Sequence, residues 1–409
     1  MWDDEPGATT YEDTRNAENV RVSRALEREG APAEKPLDGR PRSVLFVSWR
    51  DLANPLAGGS ELLVHRLAAG MAERGYTVGL LCGGPIQPKT EYRIANSGGT
   101  YMQYVRAPFE YLRSFRSTDL VVEVCNGMPF LTPLWRRKAT LCFVNHVHTD
   151  QWSSRFNPFV SAIGRRIEAD VMPWVQRKNL VVTISDSTRT SLHEIGVRET
   201  QIRMIPQGVS EPPFLIPKST SPHFVAVGRL VGYKRIDTLL EMWRSVQRIT
   251  GGTLTIIGDG PARPRLEAMH VENVEFTGFI SESEKHRLMC RALLLLHPAS
   301  WEGWGLVITE AAARGTPAIG FDVPGVRDSI VNYETGLLAS DRESFESHWI
   351  KLTRDEILRN QFAEAGMKRS MSAPWEETVD AFELVAAEAV CRHYARSRSG
   401  RYRAKHYGE

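Results

Sequence analysis

The sequence predicts an α/β protein made of two parallel-sheet domains that face each other across a cleft, and three observations lead there. Short apolar, β-branched runs alternate with amphipathic segments along most of the chain, the mark of strands joined by crossover helices. The alternation stops over residues 207–221, a stretch that holds Pro212, Pro213 and Pro217, and then restarts. The 409 residues are also more than one core usually serves and suit two.

The elements follow in order. Residues 1–40 are polar, charged and poor in large apolar side chains, so a disordered tail is expected. Order is expected from the strand-like run at 42–48, Arg42-Ser43-Val44-Leu45-Phe46-Val47-Ser48. A loop with Pro55 and Gly58-Gly59 comes next, and then a helix in which Leu63, Leu67, Gly70 and Met71 recur until Gly75 stops it. Runs 78–82, 120–125, 140–147 and 180–184 read as further strands, with a helix over 187–194. These make a first domain, 41–210. In the second, 211–373, strands are expected at 223–227, 253–257, 274–276, 293–297 and 317–320, and helices at 235–247, 282–290 and 306–314. Ile236, Leu239, Leu240, Trp243 and Val246 share one face of the first of those helices. A helix at 374–390 is expected to cross back to the first domain, and a basic tail, 391–409, ends the sequence. Two such sheets in tandem leave a cleft at their strand C-terminal ends, where open α/β sheets bind ligands.

Composition narrows the classes. A net charge of +2 argues against a broad nucleic-acid surface. The five cysteines form no C-x-x-C pair and are read as reduced, four of them buried among apolar neighbours, with neither a zinc site nor a disulfide framework. No apolar run is long enough to span a bilayer, and the first forty residues lack the pattern of a secretory signal; a cytoplasmic protein is expected. Two features nevertheless suggest peripheral contact with an anionic membrane. Arg392, Arg396, Arg398, Arg401, Arg403 and Lys405 come without an acid between them. Phe156, Phe159, Val160, Ile163, Ile167, Val171 and Trp174 fall near helical spacing around Arg165 and Arg166. The alternatives are a solvated tail and a helix packed on the first domain.

The chemistry is expected in four places. In His297-Pro298-Ala299-Ser300-Trp301-Glu302-Gly303-Trp304-Gly305-Leu306-Val307-Ile308-Thr309-Glu310 a strand ends, a glycine-rich turn follows and a helix begins. Such a turn can present backbone N–H groups to an anion. Glu302 lies at its mouth and Glu310 about two turns along the helix, so one carboxylate can meet a sugar while the other reaches a ribose diol. In Gly228-Arg229-Leu230-Val231-Gly232-Tyr233-Lys234, Arg229 and Lys234 can clamp a diphosphate and neutralise a leaving group. The Gly58-Gly59 loop permits close approach of a phosphate or an acceptor, or is a plain tight turn. His146 and His148 end an apolar strand; alternation along it predicts that only one faces the cleft. No metal-ligand cluster is visible.

At these residues the chain resembles the family 4 glycosyltransferases of the GT-B fold, which is built from two Rossmann-like domains. The resemblance covers about residues 43–390 and rests on an ordered series: Asn54-Pro55-Leu56-Ala57-Gly58-Gly59-Ser60-Glu61, His146-Val147-His148, Ser185-Asp186-Ser187, Ile205-Pro206-Gln207-Gly208-Val209, Gly228-Arg229-Leu230 with Lys234, Ile257-Gly258-Asp259-Gly260-Pro261, the Glu302 to Glu310 segment, and Gly315-Thr316-Pro317. It implies a retaining transfer of a sugar from a nucleoside-diphosphate sugar to a hydroxyl acceptor, with no metal and no resident cofactor. Arg229 and Lys234 would bind the diphosphate, Glu302 the donor sugar and Glu310 the ribose. Gly303, Trp304, Gly305 and Leu306 would line sugar and phosphate, Gly58 and Gly59 would approach the diphosphate or acceptor, and His148, or else His146, would act near the sugar. Two departures bear on the subfamily: Gln207-Gly208-Val209-Ser210 stands where Asn-Gly-Val-Asp is common, and Arg235 follows Lys234 where many members have Gly. A nucleotide-sugar binding protein without catalysis, a sugar-nucleotide epimerase and a phosphorylase with lysine-bound pyridoxal phosphate are the competing readings.

Overall fold

Apolar strands with crossover helices on both sides can bury both faces only in a parallel sheet, and the chain builds two of them. The computed structural model describes residues 40–149, 151–152, 156–212 and 214–406, with 398–406 as backbone only. Apart from Arg40, the tail expected at 1–40 lies outside these residues, as do residues 153–155 of the 152–174 segment and 407–409 of the basic tail.

The first sheet holds β1 (Ser43–Arg50), β2 (Thr77–Gly83), β3 (Arg93–Asn96), β4 (Leu120–Cys125), β5 (Ala139–Val144), β6 (Leu180–Thr183) and β7 (Ile202–Met204), in the order 3-2-1-4-5-6-7. The second holds β8 (His223–Val227), β9 (Thr253–Ile257), β10 (Val274–Gly278), β11 (Leu294–His297), β12 (Ala318–Phe321) and β13 (Gly336–Ala339), in the order 10-9-8-11-12-13. Every pairing is parallel. Each sheet reverses its winding once, between β1 and β4 and between β8 and β11. Those switch points are where ligands enter such sheets.

The main helices are α1 (Gly59–Glu73), α2 (Gln103–Ser114), α3 (Pro158–Arg166), α4 (Met172–Gln176), α5 (Asp186–Glu194), α6 (Ile236–Thr250), α7 (Glu282–Arg291), α8 (Leu306–Ala312), α9 (Arg342–Arg354), α10 (Glu356–Met371) and α11 (Trp375–His406). In the second domain Trp243 of α6 stacks on Trp349 of α9 at 5.3 Å, and Phe224 of β8 meets both rings edge-on. The first domain's core is completed by the last helix: Phe382 of α11 stacks on Phe46 of β1 at 5.6 Å and meets Phe143 of β5. A two-bond Arg203–Glu388 pair ties α11 to β7. The chain therefore passes between the domains twice, and the two passages lie side by side, with Val209 N donating to Ala373 O.

Several elements differ from the sequence expectation. β5 stops at Val144 rather than at 147, so both histidines stand in the loop beyond it. The chain from Cys391 to His406 continues α11 instead of forming a separate tail: Arg392 pairs with Glu388 one turn back, and arginines suit both a helix and its C-terminal end. The 152–174 segment forms α3, a π turn (Ile167–Val171) and α4. Its first part packs through small and polar groups, burying Ser161, Gly164 and Glu168 while Phe159 and Ile163 stay exposed, and α4 adds the buried Met172. Cys82, Cys125, Cys142 and Cys290 are buried and free, and Cys391 is exposed.

Candidate active site

The loop after β1 is set by one carboxylate. Glu61 sits at the third position of α1, accepts from Gly58 N at 2.7 Å and from Trp49 Nε1 at 2.6 Å, and lies 3.6 Å from Arg50 Nε. A glutamate there satisfies an otherwise orphaned N–H at the helix start and holds residues 56–58 toward the second domain. Leu56 O accepts from Arg229 Nη1 at 2.9 Å, and Arg229 Nη2 donates to Tyr233 OH at 2.8 Å. A Cβ on Gly58 would stand 3.6 Å from Arg229 Nε, and one on Gly59 would stand 3.8 Å from Leu306 Cβ. The glycine pair thus brings backbone up to the cation and to the start of α8.

Opposite it, the end of β11 and the turn before α8 gather an ion cluster. His297 Nε2 lies 3.0 Å from Glu302 Oε1, and Lys234 Nζ donates to the same oxygen. Burial alone would raise the Glu302 pKa, but the Lys234 charge and the His297 hydrogen bond outweigh it and hold the carboxyl well below its usual range. His297 is fully buried, and burial lowers its own pKa; a neutral ring donates to an ionised Glu302. Glu310 is buried and accepts from Lys285 Nζ at 3.2 Å, while Lys285 also pairs with Glu282 at 2.8 Å. Burial pulls the Lys285 pKa down, and the two carboxylates more than reverse this.

The turn itself presses against the first domain. A Cβ on Gly303 would come within 2.7 Å of Asn145 O, and Gly305 opens α8 at φ +84°, in the region that favours glycine. Trp304 and Leu306 pack on the first domain's core. Three rings bridge the domains: Tyr233 stacks on Trp301 at 3.8 Å, and Trp301 stacks on His146 at 5.4 Å and 6°. Burial, aided by His148 and opposed by Glu302, takes the His146 pKa down to about 3, so this ring is neutral at any ordinary pH. The His148 ring stands 5.2 Å from that of His146 and 6.2 Å from Trp301. Its backbone N donates to buried Glu168 at 2.7 Å, with Nδ1 3.5 Å from the same oxygen. Both histidines therefore face the same place. The alternation that would separate them ends with the strand at Val144.

Arg229, Lys234, Glu302, Gly58, Gly59, Gly303, His146 and His148 thus lie within one linked set of contacts. Glu310 is held by Lys285 on the flank of α8. Trp301, Tyr233 and His297 belong to this set too; they lie in the segments singled out from sequence, yet spacing gave them no role. Lys285 and Glu168 have no sequence signal, because only the fold brings them to Glu310 and His148.

Residues 57–211 match the Glycosyltransferase Family 4 model, and residues 211–369 match Glycosyl transferases group 1. Glycogen synthase of Mycobacterium tuberculosis is 28% identical over 213 residues, which are 49% of this chain and 51% of that one. The chain thus spans about half the length of the curated relatives heading the matches. Among solved structures, sucrose-phosphate synthase of Thermosynechococcus elongatus superposes with a TM-score of 0.69 at 19% identity, over 88% of this chain and 99% of that one. HepE of Anabaena, in complex with UDP-glucose, gives 0.66 at 16% identity, over 85% and 99%. At such identities these two structures speak for the fold. Two family domains in tandem over residues 57–369, on two sheets of the same winding, make this chain a family 4-like glycosyltransferase of the GT-B fold.

Proposed function

We propose that the chain moves a sugar from a nucleoside-diphosphate sugar to a hydroxyl acceptor with retention of anomeric configuration, using neither a metal ion nor a resident cofactor. The observation that carries this reading is the pair of cations at the switch point of the second sheet, Arg229 beside the Gly58 backbone and Lys234 fixed on ionised Glu302. Glycosyl transfer loads negative charge onto a departing diphosphate, and preorganised cations stabilise that charge. Lys234 spends one of its three N–H donors on Glu302, which leaves two for phosphate oxygens. Lys234 and His297 both engage Oε1 of Glu302, which leaves Oε2 to accept from sugar hydroxyls. Glu310, steadied by Lys285, suits a ribose diol. The neutral His146 and the Glu168-backed His148 form the acceptor side, and the diphosphate oxygen that leaves the sugar takes the acceptor's proton on the same face. The UDP-glucose in HepE supports the donor class.

The test is turnover by the purified protein with a panel of UDP-, GDP- and ADP-sugars, the product anomer being read by NMR and each reaction repeated in EDTA. Retained configuration and unchanged turnover in EDTA are expected. An inverted product would overturn the retaining reading, and loss on chelation that magnesium or manganese restores would overturn the metal-free one.

A further inference from the structure

At the opposite end of the first sheet, where β5 and β6 begin, lies a cavity of about 730 Å³ with no acidic residue among the described residues of its lining. Arg136, Arg137 and Lys138 enter it just before β5, and Arg177 and Lys178 just before β6. Arg198 and, from α11, Arg396 complete the ring, with His393 beside them. Among the described residues none of these seven cations makes an ion pair. Arg136 spends its guanidinium on Tyr111 OH and the carbonyls of Thr118 and Asp119, Lys138 on the Ser117 and Thr118 carbonyls, and Arg198 on Gln201 and the Arg177 carbonyl. Arg136 is 5% exposed, and its Nε has no hydrogen-bond partner. Burial and then neighbouring positive charge depress the pKa of Lys138, His393 and Arg396. Gathering like charges in a partly dry site is costly unless an anion meets them.

We propose that this cavity binds a phosphoryl-bearing anion, at a site distinct from the donor cleft. Guanidinium groups pair with phosphate oxygens two at a time, and five of the seven cations are arginines. The cleft lies at the other end of β5, about 20 Å away for a six-residue strand, so Arg229 and Lys234 do not share the ligand. A soluble polyphosphate and the head group of an anionic lipid offer the same chemistry. Leu134 and Trp174 on the rim are 61% and 58% exposed, the kind of side chains that meet a lipid surface.

The experiment compares the wild type with the double variant Arg137→Glu, Lys178→Glu, both exposed positions, and with Arg229→Ala. Circular dichroism and Tm confirm that each variant folds. Pyrophosphate is titrated by calorimetry, and co-sedimentation is measured with phosphatidylglycerol and with phosphatidylcholine vesicles. Because pyrophosphate also suits the diphosphate site of the donor cleft, the double substitution is compared in the Arg229→Ala background as well as alone; in both it is expected to lose at least tenfold in affinity for pyrophosphate, for phosphatidylglycerol vesicles, or for both, while Arg229→Ala by itself keeps the vesicle binding. Loss with pyrophosphate alone assigns a soluble ligand, and loss with vesicles alone assigns a lipid head group. Equal binding by wild type and double variant in both arms overturns the site. Because Arg229→Ala removes a donor-site cation, failure of the donor reading shows separately, as unchanged nucleotide-sugar affinity in that variant.

Discussion

Lys234, Glu302 and Arg229 each do two things, and the contacts separate them. Lys234 neutralises Glu302 and, in the proposed reading, meets the diphosphate; Arg229 fixes Leu56 O and Tyr233 and stands beside Gly58. Arg229→Ala and Lys234→Ala should each lose about 2–4 kcal/mol of transition-state stabilisation, read as kcat/KM for the donor. A nucleoside lacking phosphates should bind both variants as it binds the wild type, which calorimetry checks. Glu302 also ties stability to pH. Its folded pKa lies below its unfolded value of about 4.5, so between the two the folded protein holds fewer protons than the unfolded chain. Stability from this pair is complete above that unfolded value and drains away as pH falls toward the folded one. Glu302→Gln should therefore lose less stability than the wild type between about pH 5 and pH 2, measured by urea unfolding at each pH. The cations and both glutamates were legible because they sit at fixed offsets from a strand end. Lys285 and Glu168 were not: each sits on a helix that carries no motif and gains its role only when that helix docks.

At the scale of elements, strands with both faces buried were the easiest to read, since β1, β4, β8 and β11 are almost unbroken apolar runs. The edge strands β3, β7 and β13 are as short as β11 but set Arg, Asn or Gly among their three or four residues, so no unbroken apolar run marks them. Helix α2 stayed hidden for another reason. It holds Pro108 and buries Gln103, Ala107 and Tyr111 while leaving Val105, Phe109 and Leu112 exposed, the reverse of an ordinary amphipathic face. Helix α11 was legible as a helix, but its length and its partners follow from packing. Because Phe382 is fully buried against Phe46 and Phe143, Phe382→Ala should cost about 3–5 kcal/mol. Chemical denaturation followed by circular dichroism gives the figure, and Trp375→Phe, at the helix start, should cost far less. A loss below about 1 kcal/mol for Phe382→Ala would mean that α11 is an accessory to the first domain and not part of its core.

The whole molecule places one half of the site on each domain, so the distance between the domains matters as much as any side chain. Among the described residues the halves meet at the site through Arg229 on Leu56 O, the Trp301–His146 stack, Ser187 N on Asp328 Oδ1, Gly303 against Asn145, and Trp304 and Leu306 on the first domain's core. Away from it, the two passages at Val209 and Ala373 run beside each other and Gly208 lies under the Trp375 ring, which makes a compact pivot. Gly303 is the closest backbone approach in this set: an added Cβ would meet Asn145 O at 2.7 Å, with backbone on the other side unable to yield as a flexible side chain would. Gly303→Ala should push the domains apart without disturbing either core. The outcome expected is a kcat reduced at least tenfold, an affinity for the nucleoside diphosphate within about twofold of the wild type, and an unchanged Tm, since Arg229, Lys234 and Glu310 all belong to the second domain. Small-angle scattering with saturating donor should show a larger radius of gyration for the variant than for the wild type. A Gly303→Ala protein that turns over normally would mean that the cleft tolerates a wider gap, and that the aromatic stack, not the glycine, sets the working distance between the domains.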